Sequence, residues 1–327
     1  KENTYWLYSP THIVRNFPWS HRIKNVVVSG KRLWTQQHLS RELRKNPPDI
    51  FWSPSHMLPD NLPKKSVATI HDLAFHLFPQ SYPFKDLWLS RLTVKKAIKR
   101  AAKLIAVSQQ TKKDLKRYFN IPGENIEVVY HALRSDFVPG EFDFGVVYPE
   151  LDKYFLYVVR IELKKNLPNI LQAFAKFSGA HPEVKLVLVG NNGFGHKKIL
   201  AKIKKLKLTD KIILLHYAPI EHLPALYRRS LGVIFTSKYE GFGFPILEGW
   251  ASNTPVLTSS LGAMAEVAGN AGLLVDPANV DDIAKGLQDL FSDESLRQRL
   301  ISKGQTRLYE FSWDKSAQKM IELWTKL

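Results

Sequence analysis

The chain has 327 residues, 44% of them hydrophobic and none of them cysteine, and it carries 47 Lys and Arg against 30 Asp and Glu for a net charge of +17. That length supports two domains of ordinary size with ample core. The absence of cysteine from these residues excludes disulfides, thiolate metal sites and cysteine nucleophiles, and it permits a reducing cytoplasm. The positive charge is shared, with 23 Lys and Arg against 13 Asp and Glu in residues 1–150 and 24 against 17 in residues 151–327. An anionic partner is therefore expected: nucleic acid, a phosphate-bearing substrate or an acidic membrane surface. No run of 18 or more uncharged apolar residues marks a transmembrane helix. The opening Lys1–Trp6 has no apolar signal-peptide core.

In chain order, the first half alternates strands and helices. Tyr5–Tyr8, Asn25–Val28, Asp49–Trp52, Ser66–Ile70 and Lys103–Val107 are short, apolar, β-favouring runs. Trp34–Lys45 and Lys85–Ala102 have helical periodicity between them. Ser108 is placed to cap a helix over Gln109–Phe119, which Pro122-Gly123 ends. Ile126–Tyr130 is a further strand. The irregular stretch from about Arg134 to Glu150, with Pro139-Gly140, reads as an interdomain linker.

A second α/β series follows. Its strands are Tyr154–Val159, Val184–Gly190, Lys211–Leu215, Leu231–Thr236, Pro255–Thr258 and Gly272–Val275, with late helices over Asp281–Phe291 and Leu296–Tyr309. Strands alternating with helices imply parallel sheets and right-handed crossovers. The sequence shows no short-period repeat and no low-complexity tract. The expected fold is α/β, with two Rossmann-like domains facing each other across a cleft.

The most informative segment is Glu240-Gly-Phe-Gly-Phe-Pro-Ile-Leu-Glu248. It follows an apolar run that reads as a buried parallel strand. Glu240, Gly241 and Gly243 therefore fall at a strand's C-terminal end, where open α/β sheets bind ligands. Phe244–Ala251 reads as a helix with proline in its first turn, where the missing N–H costs nothing. The two glycines let backbone approach a ligand, and the helix N-terminus offers free N–H groups to an anion. Glu248 lies about one turn into the helix, so two carboxylates can face one polyhydroxylated ligand.

Arg160 follows the strand ending at Val159, and Lys165-Asn166 precedes a helix. Both cations stand at a strand end, suited to a diphosphate leaving group. Gly190-Asn-Asn-Gly193 follows another strand; Gly190 either passes close to a nucleotide or makes a simple turn. His71-Asp72 ends the strand Val67–Ile70, where a histidine can bond a sugar hydroxyl or stabilise developing charge. His56, His76 and His131 carry no comparable argument. No Asp-x-Asp and no ligand-spaced His cluster marks a metal site.

The Glu240–Glu248 segment resembles the signature of family 4 glycosyltransferases, and Val159-Arg-Ile-Glu-Leu-Lys-Lys-Asn-Leu167 resembles that family's donor-phosphate motif, with Val159 replacing the usual glycine. The resemblance runs from Trp34 to the closing Phe311-Ser-Trp-Asp and Leu323-Trp324. It implies a retaining enzyme of the GT-B fold: an acceptor-side domain over 1–140, a nucleotide-sugar domain over 150–308, and a crossover helix over 309–327. Roughly the first 40 residues of an ordinary N-terminal half are expected to be missing, because the chain opens on what reads as the second strand.

By the same resemblance, the catalytic residues are His71, Glu240, Arg160 and Lys165. Donor contacts fall to Arg160, Lys165, Gly190, Glu240, Gly241, Phe242, Gly243, Phe244 and Glu248, with Glu248 on ribose and Glu240 on the sugar. Glu266 is read as structural or at the cleft rim. No cofactor and no metal are expected. The donor is a GDP- or UDP-linked hexose, with mannose or glucose foremost. The acceptor is a saccharide or lipid-linked saccharide in polysaccharide assembly, at the inner face of the membrane.

The basic helical stretches Lys95–Lys103, Thr111–Arg117 and His196–Lys207 are compatible with peripheral membrane contact, although solvated outer faces explain such runs more often. An inactive GT-B scaffold and a basic nucleic-acid-binding protein are the alternatives. No nucleic-acid-binding motif supports the latter.

Overall fold

The computed structural model describes residues 3–13 and 20–327. In the first half, β1 (Tyr5–Ser9) and β2 (Ile23–Val27) form a parallel ribbon. Beside it, β3 (Phe51–Ser53), β4 (Ser66–Ile70), β5 (Lys103–Ala106) and β6 (Ile126–Val128) form a parallel sheet in that order. The helices of this half are α1 (Ser40–Lys45), α2 (Ala74–Leu77), α3 (Phe84–Arg100) and α4 (Gln109–Phe119). The helix expected from Trp34 opens instead with a wide π turn over Trp34–Leu39, and only then becomes α1. Ser108 caps α4 as its position predicts, its side chain accepting from the Thr111 N–H.

The second half contains β7 (Tyr154–Val158), β8 (Lys185–Val189), β9 (Ile212–Leu215), β10 (Gly232–Phe235), β11 (Val256–Ser259) and β12 (Leu273–Val275). Their spatial order is β12-β11-β10-β7-β8-β9, all parallel. Helices α5 (Phe144–Val147), α6 (Leu167–Ala180), α7 (His196–Lys205), α8 (Leu223–Arg229), α9 (Phe244–Ala251), α10 (Gly262–Ala268), α11 (Val280–Ser292) and α12 (Glu294–Leu308) belong to this half. Apolar clusters cover both faces of the sheet, which is why β10 is buried at every position and reads as an unbroken hydrophobic run.

Strand order fixes where a ligand can sit. The chain runs from β7 through β8 to β9 at one edge, then returns to lay β10 against the other side of β7. The order reverses between β7 and β10, and an open α/β sheet has its crevice at the C-terminal ends of such a pair. Arg160 leaves β7 and Glu240 leaves β10, so both flank that crevice.

The stretch 134–150 joins the two halves and packs against the second of them. Phe137, Phe144, Tyr148 and Leu151 are buried in the core on one face of the six-stranded sheet. Asp143 caps α5 by accepting from the Gly145 and Val146 N–H groups. Its Pro and Gly content hid an apolar spacing that tertiary packing uses. At the other end, α13 (Trp313–Thr325) crosses back to the first half. Met320 and Leu323 pack on Val67, Ile105 and Val129, and the Ser316 hydroxyl donates to the Tyr130 carbonyl at 2.6 Å.

Candidate active site

The loop after β7 is built by backbone contacts. Gly190 has φ +148°, and a Cβ there would stand 2.3 Å from the Val159 carbonyl oxygen. Its N–H donates to the Leu215 carbonyl at 3.0 Å. Gly190 is thus required by a close approach of two protein segments, and its N–H is taken by the Leu215 carbonyl, so it supports the Arg160 loop. Asn166 adopts a left-handed conformation with φ 64°. Its buried amide donates to the Thr236 carbonyl at 2.9 Å and the Pro277 carbonyl at 2.7 Å, tying the loop after β7 to those after β10 and β12.

This bracing presents the cations. The Arg160 side chain is 65% exposed, its Nε 3.9 Å from the buried Glu162 carboxylate. Lys165 is 14% exposed and Glu240 is 13% exposed, and the Lys165 Nζ donates to both Glu240 oxygens at 2.6 and 2.7 Å. Two residues expected to meet different parts of a donor therefore hold each other.

Past Glu240 the chain meets the other domain. A Cβ on Gly241 would stand 1.8 Å from the His71 carbonyl oxygen, so only glycine permits this approach. Gly243 enters α9, which has no side-chain cap, leaving first-turn N–H groups without intrahelical acceptors at the crevice. Phe242 is buried in the core, whereas Phe244 is 38% exposed. Glu248 is buried and accepts a 2.5 Å hydrogen bond from the Tyr227 hydroxyl. Burial pushes its carboxyl above the usual carboxylate range, partly offset by Tyr227 and by nearby Arg134.

His71 ends β4 as expected and does not stand alone. Its Nε2 lies 2.8 Å from the Pro54 carbonyl, which can only accept, so Nε2 carries a proton. Its Nδ1 then accepts from the His131 Nε2–H at 3.2 Å when both rings are neutral. His131 is held between rings, at 5.3 Å from His71 and 5.2 Å from Phe244, both stacked. The sequence reading passed over His131, yet it follows β6 closely, as His71 follows β4; the strand-end argument applied to His71 would have found it. Tyr227 was also missed, and it has no local signal because its partner lies a strand and a helix away.

Burial, with the nearby His71 second, pushes His131 down to about 4 from an ordinary value of 6.5. The unfolded chain then binds more protons than the folded one between those values. Stability from this residue is complete above pH 6.5 and falls as pH drops toward 4, by roughly 3 kcal/mol in total. Denaturant unfolding of His131→Asn against wild type across this window should show a shallower loss of stability in the variant. His56 is shifted in the same direction, mainly by burial, so some slope remains.

Further bonds join the two domains across the cleft. Glu266 on α10 accepts from the Gln109 and Gln110 N–H groups at 2.7 and 2.9 Å and from the Tyr130 hydroxyl at 2.8 Å. It thus places a carboxylate at the N-terminus of α4, the favourable end of that helix's dipole. The Tyr239 hydroxyl donates to Asp114 at 2.8 Å and accepts from the Leu73 N–H at 3.2 Å. Lys164 donates to the Tyr82 hydroxyl at 3.3 Å. A cavity of 280 Å³ lined by Phe142, Phe144 and Arg228 and another of 370 Å³ beside Lys198 and Lys202 lie away from this cleft.

Two α/β domains with parallel sheets, a crevice at the strand-order reversal and facing carboxylates and cations define a GT-B glycosyltransferase. The sequence profile of Glycosyl transferases group 1 matches residues 141–307, and that of Glycosyltransferase Family 4 matches residues 9–137. The chain belongs to the group 1 glycosyl transferases. It is 27% identical over 314 residues to O-antigen chain mannosyltransferase B of Escherichia coli, covering 94% of this chain and 82% of that protein. It is 28% identical to O-antigen chain mannosyltransferase RfbU of Salmonella typhimurium, covering 68% of this chain and 59% of that one.

Among solved structures, sucrose-phosphate synthase from Thermosynechococcus elongatus superposes with a TM-score of 0.78 at 18% identity, covering 98% of this chain and 88% of that one. Anabaena HepE, solved with UDP and glucose, superposes with a TM-score of 0.74 at 18% identity, covering 94% and 88%. These structures show the shared fold. Among the described residues, no helix is long and apolar enough to cross a membrane.

Proposed function

We propose that the chain transfers a hexosyl group, mannosyl foremost, from a GDP- or UDP-linked donor to a saccharide or lipid-linked saccharide, with retention of anomeric configuration. The observation that carries this reading is the Gly241–His71 approach, which brings the glutamate motif of one domain against a strand end of the other. In this reading the donor diphosphate draws Lys165 away from Glu240 and lies between Lys165, Arg160 and the N-terminus of α9. Glu240, released from Lys165, accepts from hydroxyls of the sugar. Glu248 accepts from the ribose.

The acceptor hydroxyl attacks the anomeric carbon as the bond to the diphosphate oxygen breaks. Its proton passes to a leaving phosphate oxygen, and the nucleoside diphosphate departs. Arg160 and Lys165 supply the positive charge this departure needs, so the reading requires no metal. The mannosyl preference rests on the mannosyltransferase relatives, as does a place in polysaccharide assembly. The intact donor-side charges weigh against an inactive scaffold.

Thermal unfolding with GDP, UDP and ADP tests the donor site. A nucleotide at about 100 times its Kd adds about 2.7 kcal/mol, a shift of a few degrees that should persist in excess EDTA. Glu248→Ala leaves the buried Tyr227 hydroxyl unpaired and lowers the baseline by about 1–3 kcal/mol. The nucleotide-induced shift, read from that lower baseline, should nearly vanish. No shift with any base in the wild type would remove the donor site from this crevice.

A further inference from the structure

The outward face of α3 carries a contiguous apolar strip that none of the described residues covers. Phe84 is 81% exposed, Trp88 58%, Leu89 48% and Leu92 46%. At 100° per residue, Phe84, Trp88 and Leu92 share one arc, which Lys95 and Lys99 continue toward the helix C-terminus. Lys85 and Arg91 flank it. The opposite side, with Thr93, Val94 and Ala97, is buried on the N-terminal sheet. Single exposed apolar residues are ordinary, but a strip of two aromatics and two leucines edged by cations is the pattern of a helix lying in a lipid interface.

The charges select the partner. Lys96 pairs with Asp60 and Arg100 donates to the Asp60 carbonyl at 2.7 Å, so both are occupied by protein. Among the described residues, Lys85, Arg91, Lys95 and Lys99 form no ion pair, and Asp86, the helix's acid, lies off the apolar arc. A second copy packed by twofold symmetry would set these cations against one another. Anionic headgroups would neutralise them instead.

We infer that this face of α3 docks on an anionic lipid surface, with Phe84 and Trp88 among the headgroups and Lys85, Arg91, Lys95 and Lys99 against their phosphates. The docked face lies beside the candidate site. Phe84 follows Tyr82 by two residues, and Tyr82 accepts from Lys164, the neighbour of the Lys165–Glu240 pair. Docking would therefore hold the cleft mouth at the membrane, within reach of a lipid-linked acceptor. That consequence rests on the proposed transfer reaction; the docking itself does not.

Co-sedimentation with vesicles of phosphatidylcholine, alone or mixed with phosphatidylglycerol, tests the inference at physiological ionic strength. Wild type should sediment with the mixed vesicles and remain in solution with phosphatidylcholine alone. Phe84→Glu/Trp88→Glu and Lys95→Glu/Lys99→Glu should each weaken partitioning roughly tenfold or more. The nucleotide-induced thermal shift, measured on the same proteins, reports folding and the donor site separately. Wild type remaining in solution with the mixed vesicles would overturn the inference. So would binding undiminished in Phe84→Glu/Trp88→Glu, which would mark adsorption by net charge alone. A wild-type dimer that this variant converts to a monomer without vesicle binding would assign the face to a second copy.

Discussion

Lys165→Met is expected to lower kcat/KM for glycosyl transfer about 10²- to 10³-fold, the usual loss when a group meeting transition-state charge is removed. Glu240→Gln should cost a similar factor, because the neutral amide keeps one acceptor but loses the charge that strengthens bonds to sugar hydroxyls. The pair makes a second outcome separable. Both side chains are mostly buried, at 14% and 13% exposure, and Nζ bonds both carboxylate oxygens. Removing one partner leaves the other charge stranded, which costs about 3–5 kcal/mol at a fully buried site and less here. The double variant Lys165→Met/Glu240→Gln should therefore unfold at a higher temperature than the less stable single variant, while its activity remains low. Steady-state kinetics and thermal unfolding on the three variants check this. Single variants with full activity would remove the pair from the donor site, and strictly additive stabilities would deny the coupling.

Gly241→Ala should reduce kcat/KM about 10²-fold or more while leaving nucleotide affinity within a few-fold of wild type. The added methyl would stand 1.8 Å from the His71 carbonyl oxygen and 2.7 Å from its carbon. Both are backbone atoms of the facing domain, so no rotamer change relieves the clash. The glutamate loop and His71 must move apart, and displacements near 1 Å at a reacting centre cost this order of rate. The proposed nucleotide contacts of Glu248 and Lys165 lie within the second domain and are spared. Isothermal titration with the nucleotide, beside steady-state kinetics, separates the two effects. Wild-type kcat/KM in Gly241→Ala would mean that this closed arrangement is not the reacting one.

Much of the fold was legible because its signals are local. The strand β10 appears as an apolar run because both faces of its sheet are covered. The cap at Ser108 depends on a bond three residues away, to the Thr111 N–H. The glutamate motif lies within nine consecutive residues, so strand, turn and helix N-terminus appear together. The linker joins the two halves, but its packing was not legible, because Pro139 and Gly140 outweighed an apolar spacing that has meaning only against the finished sheet. Gly190 is a related case. A glycine signals a close approach, but the sequence does not say whether ligand or protein approaches, and here it is the Val159 backbone.

Composition, strand–helix alternation and the contiguous motifs determined by themselves a two-domain α/β fold and which strand ends carry its charges, while the glycosyltransferase reading came from the resemblance of those motifs to a known family. Those features follow from periodicity and neighbouring residues, which a chain displays before it folds. Only the tertiary structure decided that Lys165 holds Glu240, that His131 stands between His71 and Phe244, and that Glu266 clamps α4 across the cleft. These pairs are separated by 75, 60 and 156 positions in the chain. Contacts at such separations exist only once strand order and domain closure have set two distant segments face to face.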